Sequence, residues 1–176
     1  ELLELAAVHH AGDDFADVEG LAGVLGDDAV QLFGRVLRFA GRLYGHRHGN
    51  PEAQTIVMEH AWHGRTLATL AATGSEKARK GFEPLPSGFI RVPYNDLAAI
   101  EKVAADDRRV QAVWLEALQG EGGIRIADAD YLRALRRLCD EKGWLLMVDE
   151  VQCGIGRTGR WFGYEWAGIR PDVITL

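Results

Sequence analysis

The segment Trp144–Val148 constrains the fold more than any other, because every residue in it (Trp-Leu-Leu-Met-Val) is apolar. A strand without a polar face has to be covered on both sides, which is typical of a central strand in a parallel sheet with helices on either face. Apolar segments at Thr55–Met58, Phe89–Tyr94 and Val110–Leu115 predict further strands. We therefore expect an α/β fold, a mostly parallel sheet with flanking helices and right-handed crossovers.

Amphipathic segments between these strands predict the covering helices. Residues 31–44 carry an apolar stripe with arginines off it, and Gly45 is the expected end of that helix. Asn95 is predicted to cap a second helix. Asp128 is predicted to cap a third, which ends at Gly143.

Both ends of the chain indicate an internal piece of a longer protein. Residue 1 is Glu, with neither an initiator Met nor the basic start of a signal peptide. The last residues, Pro171–Leu176, have a strand pattern with no turn or cap after it. Residues 1–30 show no sustained periodicity, so we expect the organised domain to cover residues 31–176.

Composition excludes several classes of protein. A chain of 176 residues that is 47% hydrophobic and 26% charged is not disordered, and its apolar runs are too short to span a membrane. A net charge of −6 argues against a nucleic-acid binder, which needs a concentrated basic face. Cys139 and Cys153 form neither a disulfide framework nor a four-ligand metal cage. We expect a cytoplasmic protein with no nucleic-acid or membrane partner.

Three of the predicted strands are followed directly by polar side chains. Ligands of a parallel sheet bind at the carboxyl ends of its strands. The side chains in question are Glu59, His60, Trp62, His63 and Arg65 after the first strand, Glu116, Gln119 and Glu121 after the third, and Asp149, Glu150 and Gln152 after Val148. Any one carboxylate in such a place is as often a helix cap or a loop ion pair, but three coinciding strand ends favour a site.

Two other patterns point to different chemistry. The segment Gly154–Gly159 matches the dinucleotide fingerprint G-x-G-x-x-G, but residues 150–153 separate it from its strand and no helix pattern follows. A nucleotide-dependent oxidoreductase is therefore a lesser alternative. His60 and His63 could hold a metal, yet they lack an H-E-x-x-H helix, so packed or solvated histidines are expected and no metal site is predicted.

Three motifs, in order and at characteristic spacing, resemble those of the class III aminotransferases, which are pyridoxal-phosphate enzymes of fold type I. They are Trp62–Ala68 (WHGRTLA), Leu115–Gly123 (LEALQGEGG) and Met147–Gly159 (MVDEVQCGIGRTG). The match is strong over residues 55–176 and looks nearest to the acetylornithine/succinylornithine branch. It implies part of the large domain of that fold and pyridoxal 5'-phosphate (PLP) as cofactor. It also implies a homodimer that transfers an amino group from N-acetylornithine, or a related ω-amino donor, to 2-oxoglutarate in arginine metabolism.

The same resemblance implies a role for each matching side chain. Asp149 corresponds to the acid that keeps the cofactor's pyridine nitrogen protonated, so that the ring can act as an electron sink. Gln152 corresponds to the amide that binds the phenolic oxygen, and Trp62 to the aromatic side chain that stacks on the ring, which is usually Phe or Tyr. With Glu150 and Val151 these residues form the expected cofactor-binding set.

The expected substrate-binding set is Arg65, Glu116 and Glu121. Arg65 corresponds to the arginine that holds a substrate carboxylate, for which the guanidinium fork is suited. Glu121 corresponds to the acid that gates substrate binding by pairing with a later arginine. Glu116 corresponds to a supporting acid, followed here by Ala117 where the family usually has proline.

Two departures from the family pattern bear on activity. The lysine that forms the Schiff base is expected two positions beyond Leu176, so no catalytic residue is predicted in this chain and the isolated 176 residues are expected to be inactive. The phosphate-binding turn Ser-Gly-Ala-Glu-Ala is replaced at residues 28–34 by Asp-Ala-Val-Gln-Leu-Phe-Gly. A non-catalytic remnant or binding protein of the same fold is therefore the main alternative.

Overall fold

The computed structural model describes residues 40–176. The predictions for residues 1–30, for the start of the first helix and for the turn at residues 28–34 lie outside this part of the chain. No helix within residues 40–176 is long and apolar enough to cross a bilayer.

A five-stranded parallel sheet forms the centre of the described domain. In chain order the strands are β1 (Gln54–Met58), β2 (Phe89–Val92), β3 (Val110–Glu116), β4 (Leu118–Gln119), β5 (Arg125–Ile126), β6 (Leu145–Asp149) and β7 (Val173–Thr175). Five of them form the order β2-β1-β3-β6-β7 with every neighbouring pair parallel, while β4 and β5 form a separate antiparallel hairpin. The predicted mostly parallel α/β sheet is confirmed.

Helices connect these strands. They are α1 (residues 40–47), α2 (Leu67–Ala72), α3 (Glu76–Arg79), α4 (Leu97–Asp106), α5 (Ala129–Lys142) and a 3₁₀ turn at Gly163–Ala167. Helix α5 ends at Gly143 in the left-handed conformation with φ +66°, which glycine adopts without a steric penalty, and this confirms its predicted end.

The core lies on both faces of the sheet, as the apolar strands predicted. Along β3, Val113 and Leu115 pack into the cluster beneath α4 and α5, whereas Ala112 and Trp114 pack into the cluster on the opposite face. This alternation follows from the two-residue period of a strand. Because both faces of β3 and β6 are buried, these two strands leave their carboxyl ends as the place for a polar site.

Two predicted helix boundaries are wrong. Helix α1 continues through Gly45 to residue 47, and Gly45 is small because a Cβ there would lie 2.3 Å from the Cβ of Ala53. Helix α4 is capped by Asp96, whose carboxylate accepts from the backbone N–H of Ala99 at 2.9 Å. Asn95 instead has φ +62° and donates its amide to the Ile126 carbonyl, so it links the loop before α4 to strand β5.

Candidate functional site

The carboxyl ends of three adjacent strands bring polar side chains into one row. The strand register pairs Glu116 with Asp149, and Asp149 with Thr175. Paired residues on neighbouring strands point to the same face of the sheet. All three are buried, with exposed fractions of 2%, 6% and 2% respectively. The structure therefore brings together the predicted Glu116 and Asp149 and adds Thr175, which sequence reasoning missed.

Three donors hold the carboxylate of Asp149. Nδ1 of His63 donates to Oδ2 at 2.9 Å. Oδ1 accepts from the Thr175 hydroxyl at 3.1 Å and from the Val151 backbone N–H at 3.2 Å. A carboxylate has about four lone-pair sites, so its orientation is fixed while one acceptor position remains.

His63 is the second residue whose role in the site the sequence did not reveal. Its ring is buried and stacks on Trp114, with the ring centroids 3.8 Å apart. Because a carboxylate can only accept, Nδ1 carries the proton in the contact with Asp149. The backbone N–H of His63 donates to Oγ1 of Thr73 at 3.1 Å. His63 is packed, as expected, but it is packed against the central acid of the site.

Glu116 fixes the backbone of Trp62. Its Oε2 accepts from the Trp62 N–H at 2.9 Å. Burial raises the pKa of Glu116 to about 8, the Trp62 N–H opposes this shift, and the charges of Asp149 and Glu121 add to it. Near neutral pH this side chain is therefore largely a neutral acid with a buried proton.

Trp62 and Arg65 contact each other at the exposed side of the site. The guanidinium carbon of Arg65 lies 4.9 Å from the centroid of the Trp62 ring, a cation–π distance. No carboxylate within residues 40–176 forms an ion pair with Arg65. The donors of its guanidinium are therefore available to a ligand.

Glu150 and Val151 differ in their surroundings. The Glu150 carboxylate accepts from the backbone N–H groups of Gly163 at 2.8 Å and Tyr164 at 3.0 Å, and from the Cys153 thiol at 3.1 Å. Its side chain thus anchors the start of the 3₁₀ turn. Val151 is 63% exposed and donates its N–H to Asp149.

Gln152 lies against the turn that joins β4 to β5. A Cβ added to Gly120 would lie 2.0 Å from Oε1 of Gln152, so only glycine allows this approach. Glu121, the next residue of that turn, is exposed, and its charge contributes to the raised pKa of Glu116. The structure therefore brings the motif around Gln152 beside the motif around Glu121.

The described residues fit the cofactor that the resemblance implies. Asp149 keeps one acceptor position at the strand ends, which suits the N–H of a protonated pyridine ring. Trp62 supplies an aromatic face. Oε1 of Glu116 and Oε1 of Gln119 are buried and have no hydrogen-bond partner in the part of the chain that the structure describes. Both atoms are therefore available to bond to another group at this edge of the sheet. The expected phosphate-binding turn lies outside the described residues.

The described residues support neither a dinucleotide site at Gly154–Gly159 nor a metal site at His60 and His63. Residues 151–162, which contain the Gly154–Gly159 segment, form turns and bends without the helix that a dinucleotide fingerprint requires. Over residues 40–176 no three His, Cys, Asp or Glu side chains are grouped so as to hold a metal ion. His60 is exposed, and the Nδ1 of His63 is engaged by Asp149.

Sequence comparison identifies one family across most of the chain. The model of the family described as Aminotransferase class-III matches residues 34–176. Among curated relatives, acetylornithine aminotransferase 1 of Bordetella parapertussis is 57% identical over 161 residues, which are 92% of this chain and 41% of the relative. Acetylornithine aminotransferase of Methanocaldococcus jannaschii is 49% identical over 140 residues, 80% of this chain and 35% of the relative. The chain thus spans about two fifths of the length of the first of these relatives.

Comparison with solved structures also finds aminotransferases. An ornithine aminotransferase from Toxoplasma gondii, with PLP at partial occupancy in its active site, superposes with a TM-score of 0.75 at 27% identity, covering 97% of this chain and 43% of that one. A Bacillus anthracis aminotransferase gives a TM-score of 0.72 at 30% identity, covering 81% of this chain and 37% of that one.

Proposed function

This chain belongs to the class III aminotransferases, and from that premise we propose that the protein containing it is a PLP-dependent acetylornithine aminotransferase. The relatives at 49–57% identity carry that name, which supports N-acetylornithine as amino donor. The proposed acceptor is 2-oxoglutarate. We further propose that residues 31–176 are part of the PLP-binding large domain.

The observation that carries the proposal is the buried Asp149 carboxylate at the end of β6, held by His63, Thr175 and the Val151 N–H. PLP, when bound, supplies an electron sink for the charge that develops when the substrate carbon loses a proton. Asp149 would hold the proton on the pyridine nitrogen of the bound cofactor, because a fixed buried carboxylate stabilises an adjacent N–H cation. His63 and Thr175 prevent the carboxylate from rotating away.

The other proposed cofactor contacts come from the neighbouring loops. Trp62 would stack on the cofactor ring, and its position is set by the bond from its N–H to Glu116. Gln152 would donate its amide to the phenolic oxygen of the cofactor. Val151 and Glu150 belong to the same cofactor-binding stretch, in which the Glu150 carboxylate holds the loop through Gly163 and Tyr164.

Substrate recognition is assigned to Arg65, Glu116 and Glu121. Arg65 binds a substrate carboxylate, since its guanidinium is exposed beside Trp62. Glu121 is exposed at the same edge and is available to pair with an arginine. Glu116 supports the site as a neutral acid, because burial raises its pKa to about 8.

The setting of the protein is part of the proposal. We propose a homodimer in the cytoplasm that acts in arginine biosynthesis on small amino and oxo acids. The names of the relatives support the substrate class.

A donor panel tests the proposed function. The full-length protein encoded by the gene is loaded with PLP and given 2-oxoglutarate with N-acetylornithine, N-succinylornithine, ornithine or 4-aminobutyrate. We expect glutamate to form, with the highest kcat/KM for N-acetylornithine. Glutamate formation with another donor only would move the protein to another branch of the family. No glutamate with any donor would favour the non-catalytic alternative.

A further inference from the structure

The segment from Glu59 to His63 carries Trp62 into the site. Contacts with neighbouring elements fix its backbone conformation. It leaves β1 through His60, whose φ of +62° is uncommon for a residue with a side chain. Such a conformation persists when the surrounding structure fixes it. The contacts made by neighbouring elements therefore decide where Trp62 lies.

Besides the bond from the Glu59 N–H to the Val92 carbonyl and the bond from His63 Nδ1 to Asp149, four hydrogen bonds with neighbouring elements hold this segment. Gly74 N–H donates to the Ala61 carbonyl at 2.8 Å, Trp62 N–H donates to Glu116 at 2.9 Å, His63 N–H donates to Thr73 at 3.1 Å, and Nε2 of Gln119 donates to the Glu59 carbonyl at 2.9 Å. Glu116 and Thr73 accept from the segment, whereas Gln119 is the side chain of this set that donates to it. Its bond lies where the segment leaves β1.

The orientation of the Gln119 amide is determined by its surroundings. The side chain is fully buried, and because the Glu59 carbonyl can only accept, Nε2 has to face it. Oε1 has no donor within residues 40–176. The bond that Nε2 donates therefore holds the amide in place. Removing this N–H donor would leave the Glu59 carbonyl without its Gln119 partner.

Gln119 also connects the segment to Gln152. It directly precedes Gly120, against which the Gln152 side chain lies, and the space at Gly122 is bounded by Gln119 Oε1 and by the His60 carbonyl. A shift at Gln119 would therefore move its bond to the Glu59 carbonyl and the contact between Gly120 and Gln152 together.

We propose that Gln119 is a positioning residue which, by donating Nε2–H to the Glu59 carbonyl, fixes Trp62 relative to Gln152 across the cofactor ring. The proposal rests on the proposed function, in which both side chains contact PLP. Gln119 itself needs no contact with cofactor or substrate for this role.

The test uses Gln119→Glu and Gln119→Met in the full-length protein, with Gln111→Glu near the start of β3 as the matched control. The carboxyl introduced by Gln119→Glu can donate to the Glu59 carbonyl when it is protonated and cannot when it is ionised, whereas the thioether introduced by Gln119→Met never donates. The nearby titratable residues Glu59, His60, Glu116 and Glu121 are retained in every variant, so each value is divided by that of the wild type at the same pH.

Two readouts are measured between pH 5.5 and 8.5. One is the PLP dissociation constant, and the other is hydrogen exchange of residues 59–63 in the PLP-free protein, corrected for the intrinsic exchange rate. We expect Gln119→Met to weaken PLP binding about tenfold at every pH, which is the effect of losing one hydrogen bond. Gln119→Glu should be equally weak at pH 8.5 and recover at pH 5.5, with faster exchange wherever binding is weak. Gln111→Glu should match the wild type.

Two results would overturn the proposal. If both Gln119 variants match Gln111→Glu, the donated bond does not position the site. If both are impaired equally at all pH values, side-chain shape rather than the donor matters. A wild-type protein that binds no PLP would instead refute the proposed function, and hydrogen exchange of residues 59–63 would still report on Gln119.

Discussion

At the scale of single residues, the site depends on partners that are far apart in the sequence. Asp149 and Glu116 could be predicted because each carboxylate ends an apolar strand. The roles of His63 and Thr175 could not, since they contact Asp149 across separations of 86 and 26 residues. Only the order of the strands brings these partners together, and no local pattern encodes that order.

Replacing His63 tests its effect on Asp149. His63→Phe keeps an aromatic ring against Trp114 but removes the donor to the carboxylate, which leaves a buried acceptor short of one partner. We expect a loss of stability of about 1–3 kcal/mol and PLP binding weakened about tenfold, measured by thermal unfolding and by PLP titration. His46→Phe, an exposed position, is the control. Equal behaviour of the two variants would mean that His63 does not hold Asp149.

The raised pKa of Glu116 predicts a pH dependence of stability. The folded protein retains this proton up to about pH 8, whereas the unfolded chain releases it near the ordinary pKa of 4.5. Over that interval the folded state binds more protons, so the stability that this group contributes is present below pH 4.5 and is lost as the pH rises towards 8.

The measurement for Glu116 is the free energy of unfolding of wild type and Glu116→Gln from pH 5 to 8. We expect the wild type to lose stability relative to the variant as the pH rises, because the amide has no proton to lose. A constant difference across this range would contradict the raised pKa of Glu116.

At the scale of elements, the sequence predicted strands better than helix boundaries. Strand composition is decided by burial on both faces, and that signal is local. Gly45 resembled a helix end, but it is small because Ala53 packs against it. Asn95 resembled a cap, but it bonds to strand β5, and Asp96 caps the helix. In both cases a tertiary contact requires a residue type that, read from the local sequence alone, also indicates a helix end or a helix cap.

Gly74 shows how closely two elements approach behind the site. A Cβ at this position would lie 2.4 Å from the His60 backbone nitrogen and 2.5 Å from the Met58 carbonyl oxygen, and backbone atoms cannot rotate aside. We expect Gly74→Ala to cost about 1–3 kcal/mol of stability, the usual cost of overpacking, measured by chemical denaturation. Gly49→Asn, in an open left-handed position with φ +78°, is the control and should cost little. A neutral Gly74→Ala would show that the segment from Met58 to Ala61 is free to shift.

At the scale of the whole molecule, the order β2-β1-β3-β6-β7 places the ends of β1, β3 and β6 side by side. The three motifs that follow these strands are separated in sequence and therefore meet at one edge of the sheet. The motifs alone indicate the family, and the match over residues 34–176 confirms it. The neighbourhood of each side chain, such as the engagement of Glu150 by the loop at Gly163, had to come from the three-dimensional arrangement.

The most direct test of the account compares Asp149→Asn with the wild type in the full-length, PLP-loaded protein. We expect kcat/KM for amino transfer from N-acetylornithine to 2-oxoglutarate to fall about 10- to 100-fold, since a hydrogen bond between charged groups contributes about 1.5–3 kcal/mol. Asp106→Asn, an exposed substitution at the end of α4, should leave the value unchanged. An Asp149→Asn protein as active as the wild type would contradict the central role assigned to this carboxylate.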